Sequence, residues 1–165
     1  MNTRHVSIDT PRPLIDTLKE QLQRVGVATF TAPNYRRGSI GHIVLIRFAD
    51  AVPASARTAA IQAFLDLRSA CVREHKRYIR SIEVGAQSSG EGADRGFEYG
   101  FVLHFDSEGD RNYYVGEPVV DDPDFYDARH HAFKQMIGPL LAPQGVLVFD
   151  YTDGAGIQGS SPDRD

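Results

Sequence analysis

GHIVLIRF, residues 41–48, is the stretch that most clearly predicts the fold of this 165-residue chain. It is rich in β-branched residues and is flanked by Asp50, a pattern typical of a buried strand. Because side chains alternate between the two faces of a strand, the even-numbered residues from His42 to Phe48 are expected to share one face. His42 is then a polar ring on an apolar face, where it needs a hydrogen-bond partner to offset the cost of burial.

Three further strands are predicted downstream. Residues 78–85 and 145–152 are short apolar segments bounded by polar or glycine-rich sequence, and aromatic residues alternate cleanly through residues 97–105. The last of the four strands, residues 145–152, carries Asp150 on the same face as its valines.

Two helical regions separate these strands. The first is predicted from Pro53 to about residue 74 and has a wide apolar stripe. The second is split into a short helix that begins at the N-cap residue Ser107 and a helix over residues 125–141, which Pro139 ends or kinks.

The resulting order β-α-β-β-α-β predicts an α+β, ferredoxin-like fold. Helices can cover only one face of such a sheet, so an apolar second face needs another partner. We therefore expect a homodimer, a dimeric α/β barrel, formed through the sheet faces that carry Phe97, Phe101 and Phe105 or through the opposite faces.

Composition divides the chain into three parts. Residues 1–38 are predicted to be an N-terminal extension with one amphipathic helix over residues 11–25, followed by a linker, TAPNYRRGS, at residues 31–39. Residues 39–152 form the main domain, and residues 153–165 are predicted to be a flexible tail.

The charge balance and the short apolar runs exclude several classes of function. With 18 basic and 22 acidic residues, the net charge of −4 gives no basic excess for a nucleic-acid backbone. No apolar run approaches the length of a membrane span, and the first residues lack the apolar stretch of a signal peptide. The one cysteine, Cys71, cannot form an internal disulfide, so a cytoplasmic location is expected. No metal-ligand motif is present, and we expect neither a metal nor a cofactor.

The ordered segments GHIVLIRF, IEVGAQSSGEGADRGFEYGFVLHFDSEGDRNYY and HHAFKQMIGPLL followed by VLVFDYT together resemble the stress-responsive A/B barrel domain (Dabb) family. This resemblance covers residues 41–152 and implies a dimeric α+β barrel. One branch of the family includes olivetolic acid cyclase, a polyketide cyclase that closes its substrate by an aldol reaction without a cofactor.

The resemblance to that branch implies four catalytic positions. The first-strand histidine of the pattern falls on His42, the histidine of the late helix on His130, and the acid of the last strand on Asp150. The tyrosine at the end of the short helix falls on Tyr114. The chain departs from the branch at two positions, where Phe64 replaces a tyrosine and Tyr99 replaces a histidine.

These residues predict a pocket for a small hydrophobic carbonyl or phenolic compound. His130 is expected to act as a general base, because imidazole exchanges protons near neutral pH, and Tyr114 is expected to donate to a substrate carbonyl. His131 points to another side of the helix. His42 and Asp150 are expected to pair and polarise substrate oxygen atoms or, alternatively, only to hold the sheet together. The predicted pocket wall comprises Val44, Ile46, Phe64, Tyr99 and Phe133.

Two functions therefore remain open: a cofactor-independent cyclase or lyase, and a non-catalytic dimeric stress or binding protein. A ligand-sized cavity beside His130 favours the enzyme, whereas a cavity packed shut by Phe64, Phe101 and Phe133 favours the binding protein. A haem- or oxygen-using relative is a third hypothesis, for which no residue stands out as an axial ligand.

Overall fold

The computed structural model of the protein describes residues 13–152. Two short 3₁₀ turns, Pro123–Phe125 and Gly138–Leu140, flank the last helix. The helices and strands follow one another as α1 (Leu14–Val25), α2 (Val27–Phe30), β1 (Arg37–Phe48), α3 (Ala54–Ala70), β2 (Val72–Arg73), β3 (Lys76–Arg77), β4 (Ser81–Ala86), β5 (Tyr99–Ser107), α4 (Glu108–Val115), α5 (Ala128–Ile137) and β6 (Leu141–Thr152).

Four of the strands form one antiparallel sheet in the order β4-β5-β1-β6. This order, with two helical regions between the strands, confirms the predicted ferredoxin-like α+β fold. β1 lies between β5 and β6, and its register places His42 opposite Leu103 on one side and Asp150 on the other. The sequence-distant residues His42 and Asp150 are therefore neighbours.

The side of the sheet that faces the helices holds the hydrophobic core. Its β5 residues Phe101, Leu103 and Phe105 are completely buried. Phe101 stacks on Phe64 of α3 with ring centroids 3.9 Å apart, and Phe133 of α5 meets the Phe64 ring edge-on. The face carrying Phe101 and Phe105 is thus covered by the chain's own helices. The prediction that this face forms the dimer interface is wrong, because the face is not available to a second copy.

The opposite side of the sheet, which we call the open face, is not covered by any helix among residues 13–152. Its β6 residues are exposed: Leu147 by 42%, Phe149 by 58% and Tyr151 by 40% of their surfaces. Strand alternation and pairing assign six apolar residues to the open face. They are Ile43, Leu45, Val102, Leu147, Phe149 and Tyr151.

Two predicted helix boundaries are wrong. α3 ends at Ala70 rather than near residue 74, because the chain turns into the β2–β3 hairpin with Glu74 and His75 in the left-handed region (φ 49° and 62°). The helix predicted over residues 125–141 is limited to α5, and Pro139 lies in the 3₁₀ turn that follows it.

The segment predicted to be a linker is packed against the domain. Thr31 of this segment is buried, and so is Phe30 immediately before it, whose carbonyl accepts a hydrogen bond from Asn112 Nδ2 of α4 at 2.9 Å. At Gly109 a side chain would place its Cβ 1.9 Å from the Ala32 carbonyl oxygen, so only glycine allows this close approach. By contrast, α1 has no buried residue. The start of the predicted extension helix and the predicted tail lie outside the described residues.

Within residues 13–152, no helix combines the length and the apolar character that crossing a bilayer requires. Over the same residues, no three histidine, cysteine or acidic side chains cluster as metal ligands would.

Candidate active site

A cavity of about 350 Å³ lies between the helices and the β1–β6 half of the sheet. It forms there because α3 packs on β4 and α5, which leaves the helix-facing side of β6 only partly covered. Val146 and Val148 of β6 are accordingly half exposed and line it. The complete lining is His42, Val44, Ile46, Phe64, Val115, Glu117, Pro118, His130, Phe133, Lys134, Ile137, Leu141, Val146 and Val148.

His42 and Asp150 form a hydrogen-bonded pair at one end of this cavity. His42 Nδ1 and Asp150 Oδ1 are 2.5 Å apart, and Arg111 Nη1 of α4 donates to Asp150 Oδ2 at 2.6 Å. Burial alone would raise the pKa of Asp150. The hydrogen bonds and positive charges of His42 and Arg111 outweigh this effect and lower its pKa below the ordinary carboxyl value.

The pair determines which nitrogen of His42 is available. Asp150 is ionised and only accepts hydrogen bonds, so His42 Nδ1 carries the proton. When the ring is neutral, His42 Nε2 has a free lone pair, and His42 lines the cavity. A carboxylate behind an imidazole fixes the tautomer and stabilises the cation formed when Nε2 takes a proton.

His130 occupies the first turn of α5 and is 8% exposed. Asp127 caps this helix: its Oδ1 accepts from the backbone N–H groups of Arg129 and His130 at 2.8 and 3.1 Å. The side-chain Nδ1 of His130 donates to the Tyr114 carbonyl at 2.6 Å, so Nε2 again carries the lone pair. Burial lowers the pKa of His130 to about 3, so the ring is neutral at pH 7.

Tyr114 lies behind His130 and does not line the cavity. Its ring stacks on the His130 ring with centroids 3.7 Å apart, and its hydroxyl is buried without a hydrogen-bond partner in the described structure. Burial raises the pKa of Tyr114 well above its usual value. The predicted role as a donor to substrate is therefore not supported, because the short helix α4 turns the ring into the core; the contact with His130 is made through the Tyr114 backbone carbonyl.

Of the five residues predicted to form the pocket wall, four line the cavity and Tyr99 does not. Val44, Ile46, Phe64 and Phe133 all line the cavity. Tyr99 instead packs edge-on against Phe48, 6.2 Å between centroids, and lines a separate surface depression. The reason is topological: Tyr99 is on β5, and β1 separates β5 from β6, over which the cavity lies.

The structure also brings three residues to the site that sequence reasoning missed. Arg111 completes the charge cluster at Asp150, and Asp127 orients the first turn of α5. Lys134 lines the cavity one helical turn after His130. Two of these residues had a signal in the sequence. Lys134 follows His130 at i, i+4 spacing, and Asp127, a residue type favoured at N-caps, lies near the start of the predicted helix. Nothing local in the sequence marks Arg111.

A model of the family described as "Stress responsive A/B Barrel Domain" (Dabb) matches residues 40–153. The chain belongs to this family. No protein with curated annotation matches this A/B barrel domain protein.

Solved structures with the same fold align with this A/B barrel protein over nearly their whole length. A protein from Arabidopsis thaliana aligns with a TM-score of 0.55 and 20% identity, over 76% of this chain and 99% of its own. Hydroxynitrile lyase from Passiflora edulis aligns with a TM-score of 0.56 and 16% identity, over 74% and 99%. A dimeric ferredoxin-like protein from Jannaschia sp. CCS1 aligns with a TM-score of 0.52 and 16% identity, over 69% and 98%. At these identities, the likeness shows the fold alone.

Proposed function

We propose that this A/B barrel protein binds a small hydrophobic carbonyl or phenolic compound in the cavity and removes a proton from it without a cofactor. One observation carries this proposal: His42 lines the cavity and is hydrogen-bonded through Nδ1 to the Asp150 carboxylate, which leaves Nε2 to accept a proton. A cavity of about 350 Å³ is within the usual size range for small-molecule sites. The apolar wall suits a hydrocarbon or aromatic group.

His42, rather than His130, is the better general base in this geometry. An efficient base has a conjugate acid that titrates near the working pH, and the lowered pKa of His130, about 3, is far from neutrality. His42 has the Asp150 carboxylate to stabilise the cation that forms, whereas His130 Nδ1 donates only to a neutral carbonyl. The roles expected from the sequence are therefore exchanged.

The proposed step is proton transfer from a carbon next to a substrate carbonyl. His42 Nε2 takes the proton, the electrons of the broken C–H bond form a carbon–carbon double bond, and the carbonyl π electrons move to oxygen, giving an enolate. His130 Nε2 accepts a hydrogen bond from a substrate hydroxyl and orients the ring or chain. The enolate then recovers a proton from His42 or attacks a second carbonyl of the same molecule, as in an aldol cyclisation.

The resemblance to the olivetolic acid cyclase branch supports this reaction class, since His42, His130 and Asp150 match its pattern. Hydroxynitrile lyase from Passiflora edulis has the same fold, so the fold accommodates a lyase. The alternative, a non-catalytic binding protein, is less favoured, because Phe64 and Phe133 border an open cavity instead of filling it.

Hydrogen–deuterium exchange tests the proposal without knowledge of the natural substrate. We expect the protein to accelerate exchange of the hydrogens next to the carbonyl of 4-phenylbutan-2-one in D₂O, followed by proton NMR. His42→Asn and Asp150→Asn should slow the catalysed exchange roughly 10²–10⁴-fold, the usual contribution of a positioned base. His75→Asn, a change of an exposed histidine, is the matched control. Exchange no faster than in buffer, or unchanged in His42→Asn, would refute the assignment.

We also propose that the chain forms a homodimer through the open face. That face presents exposed Leu147, Phe149 and Tyr151, an apolar surface that is unusual for a monomer. His104 lies on the same side of β5, and its buried Nδ1 has no hydrogen-bond partner in residues 13–152. The similar protein from Jannaschia sp. CCS1 is described as dimeric, which supports this assembly.

A further inference from the structure

Lys134 is a cation in a cavity wall that is otherwise mostly apolar. Its Nζ donates to the Val115 carbonyl at 2.9 Å and to the Glu117 carbonyl at 3.4 Å. A lysine ammonium has three hydrogens, so one N–H remains without an acceptor from the described part of the chain. Because Lys134 lines the cavity, a bound molecule can supply that acceptor.

The surroundings of Lys134 make an anionic acceptor favourable. Burial lowers the pKa of Lys134, since desolvation penalises the charged form, and the charge of Glu117 partly opposes this effect. Among residues 13–152, the titratable side chains that line the cavity are His42, Glu117, His130 and Lys134. The Glu117 side chain is half exposed, and its Oε2 lies 3.8 Å from Nδ1 of His131, a residue that does not line the cavity. A negatively charged oxygen in the cavity would therefore restore the stabilisation that Lys134 loses by burial.

The proposed reaction also needs such a group. An enolate oxygen forms as the proton leaves, and a positioned donor at that oxygen is a large source of rate acceleration. The other polar groups are unsuited: His130 presents an acceptor nitrogen to the cavity, His42 is the base, and the Tyr114 hydroxyl is buried away from it.

We propose that Lys134 is the oxyanion-binding group of this cavity, and that the ligand class is an enolisable ketone or phenol whose oxygen becomes anionic at Lys134. The chemical role rests on the function proposed above, whereas the preference for an anionic oxygen does not require catalysis. His130 and Lys134 are one helical turn apart, about 5–6 Å between Cβ atoms.

Binding of 4-nitrophenol tests this assignment directly. The neutral phenol and its coloured phenolate have the same shape, and the absorbance of the bound form gives the pKa of the bound phenol. With the unmodified protein, we expect this pKa to lie below its value in water. In Lys134→Met and Lys134→Gln it should rise by about one unit or more, equivalent to a tenfold loss of preference for the phenolate. Lys134→Arg should keep most of the preference, and Lys76→Met, an exposed lysine outside the cavity, should keep all of it.

Each outcome has a separate meaning. A bound phenol whose pKa is the same in the unmodified protein and in both neutral variants would overturn the role of Lys134. Failure of 4-nitrophenol to bind the unmodified protein would also overturn it. If the phenolate preference depends on Lys134 but 4-phenylbutan-2-one does not exchange, Lys134 is supported as an anion site and the proposed proton abstraction fails.

Discussion

His130 and His42 differ in what lies behind the ring, and this difference assigns their roles. Both use Nδ1 for a hydrogen bond within the protein, and neither Nε2 has a hydrogen-bond partner among residues 13–152. The acceptor of the His42 N–H is the ionised carboxylate of Asp150. The acceptor of the His130 N–H is the backbone carbonyl of Tyr114, whose ring also stacks on the imidazole of His130. A positive charge on the His42 ring is therefore stabilised by the Asp150 carboxylate, whereas burial disfavours a positive charge on the His130 ring.

The buried neutral state of His130 predicts a specific dependence of stability on pH. The folded-state pKa, about 3, is below the unfolded-state value near 6.5, so the unfolded chain binds more protons between these values. The contribution of His130 is complete above pH 6.5 and is lost as the pH falls toward 3, by up to about 1.4 kcal/mol per pH unit. In His130→Gln, urea unfolding at pH 6.5 and pH 5 should show a flatter dependence. The exposed control His75→Gln should keep the original slope, and an unchanged slope in His130→Gln would contradict the buried neutral state.

At the scale of single elements, the first turn of α5 depends on Asp127. Its Oδ1 caps two backbone N–H groups, and its Oδ2 accepts the Tyr78 hydroxyl at 2.5 Å. Asp127→Ala removes the cap and leaves the Tyr78 hydroxyl without an acceptor. We expect a loss of about 2–4 kcal/mol in the free energy of unfolding, measured by urea denaturation.

Asp122 offers a matched control for this substitution. It caps the exposed turn Pro123–Phe125 through the Asp124 N–H, at 3.0 Å, and has no buried partner within residues 13–152. Asp122→Ala should cost about 1 kcal/mol or less. Equal losses in the two variants would show that the buried side of Asp127 contributes nothing.

The segment that follows α1 is predicted to act as part of the domain. Phe30 is 1% exposed and Leu14 of α1 is 67% exposed. Phe30→Ala should therefore lower the free energy of unfolding by about 3–4 kcal/mol, the usual cost of removing a buried aromatic ring. Leu14→Ala should change it by less than about 0.5 kcal/mol. A small effect of Phe30→Ala in thermal or urea unfolding would restore the original boundary at residue 39.

At the scale of the whole molecule, the open face predicts self-association. Phe149 lies on β6 with 58% of its surface exposed, and Phe149→Asp would place a charge in the proposed interface. We expect the unmodified chain to sediment as a dimer at micromolar concentration and Phe149→Asp to sediment as a folded monomer. Met136→Asp, on the outer side of α5 and 43% exposed, is the control and should remain a dimer. A monomeric unmodified protein would contradict the proposal.

The fold was largely predictable because its signals are local. Strand alternation around His42 and aromatic alternation through residues 97–105 report burial on one face, which follows from the period of a strand. The Pro139 stop and the N-cap at Ser107 are local in the same sense, and Ser107 Oγ accepts from the Asp110 N–H as a cap does. The error at the end of α3 arose because the left-handed turn at Glu74 and His75 is built from residues without glycine, so the turn had no sequence signal.

What the sequence alone determined is therefore the order of elements, the face on which His42 lies, and the family to which the chain belongs. What only the tertiary structure decided is the content of the site. Arg111 reaches Asp150 across 39 positions of sequence, and Tyr114 turns its hydroxyl into the core while its carbonyl holds His130. Such contacts depend on how helices pack on a sheet, and packing is set by all neighbouring side chains together. The pairing partner, the burial and hence the protonation of each histidine follow from that packing and from no local pattern.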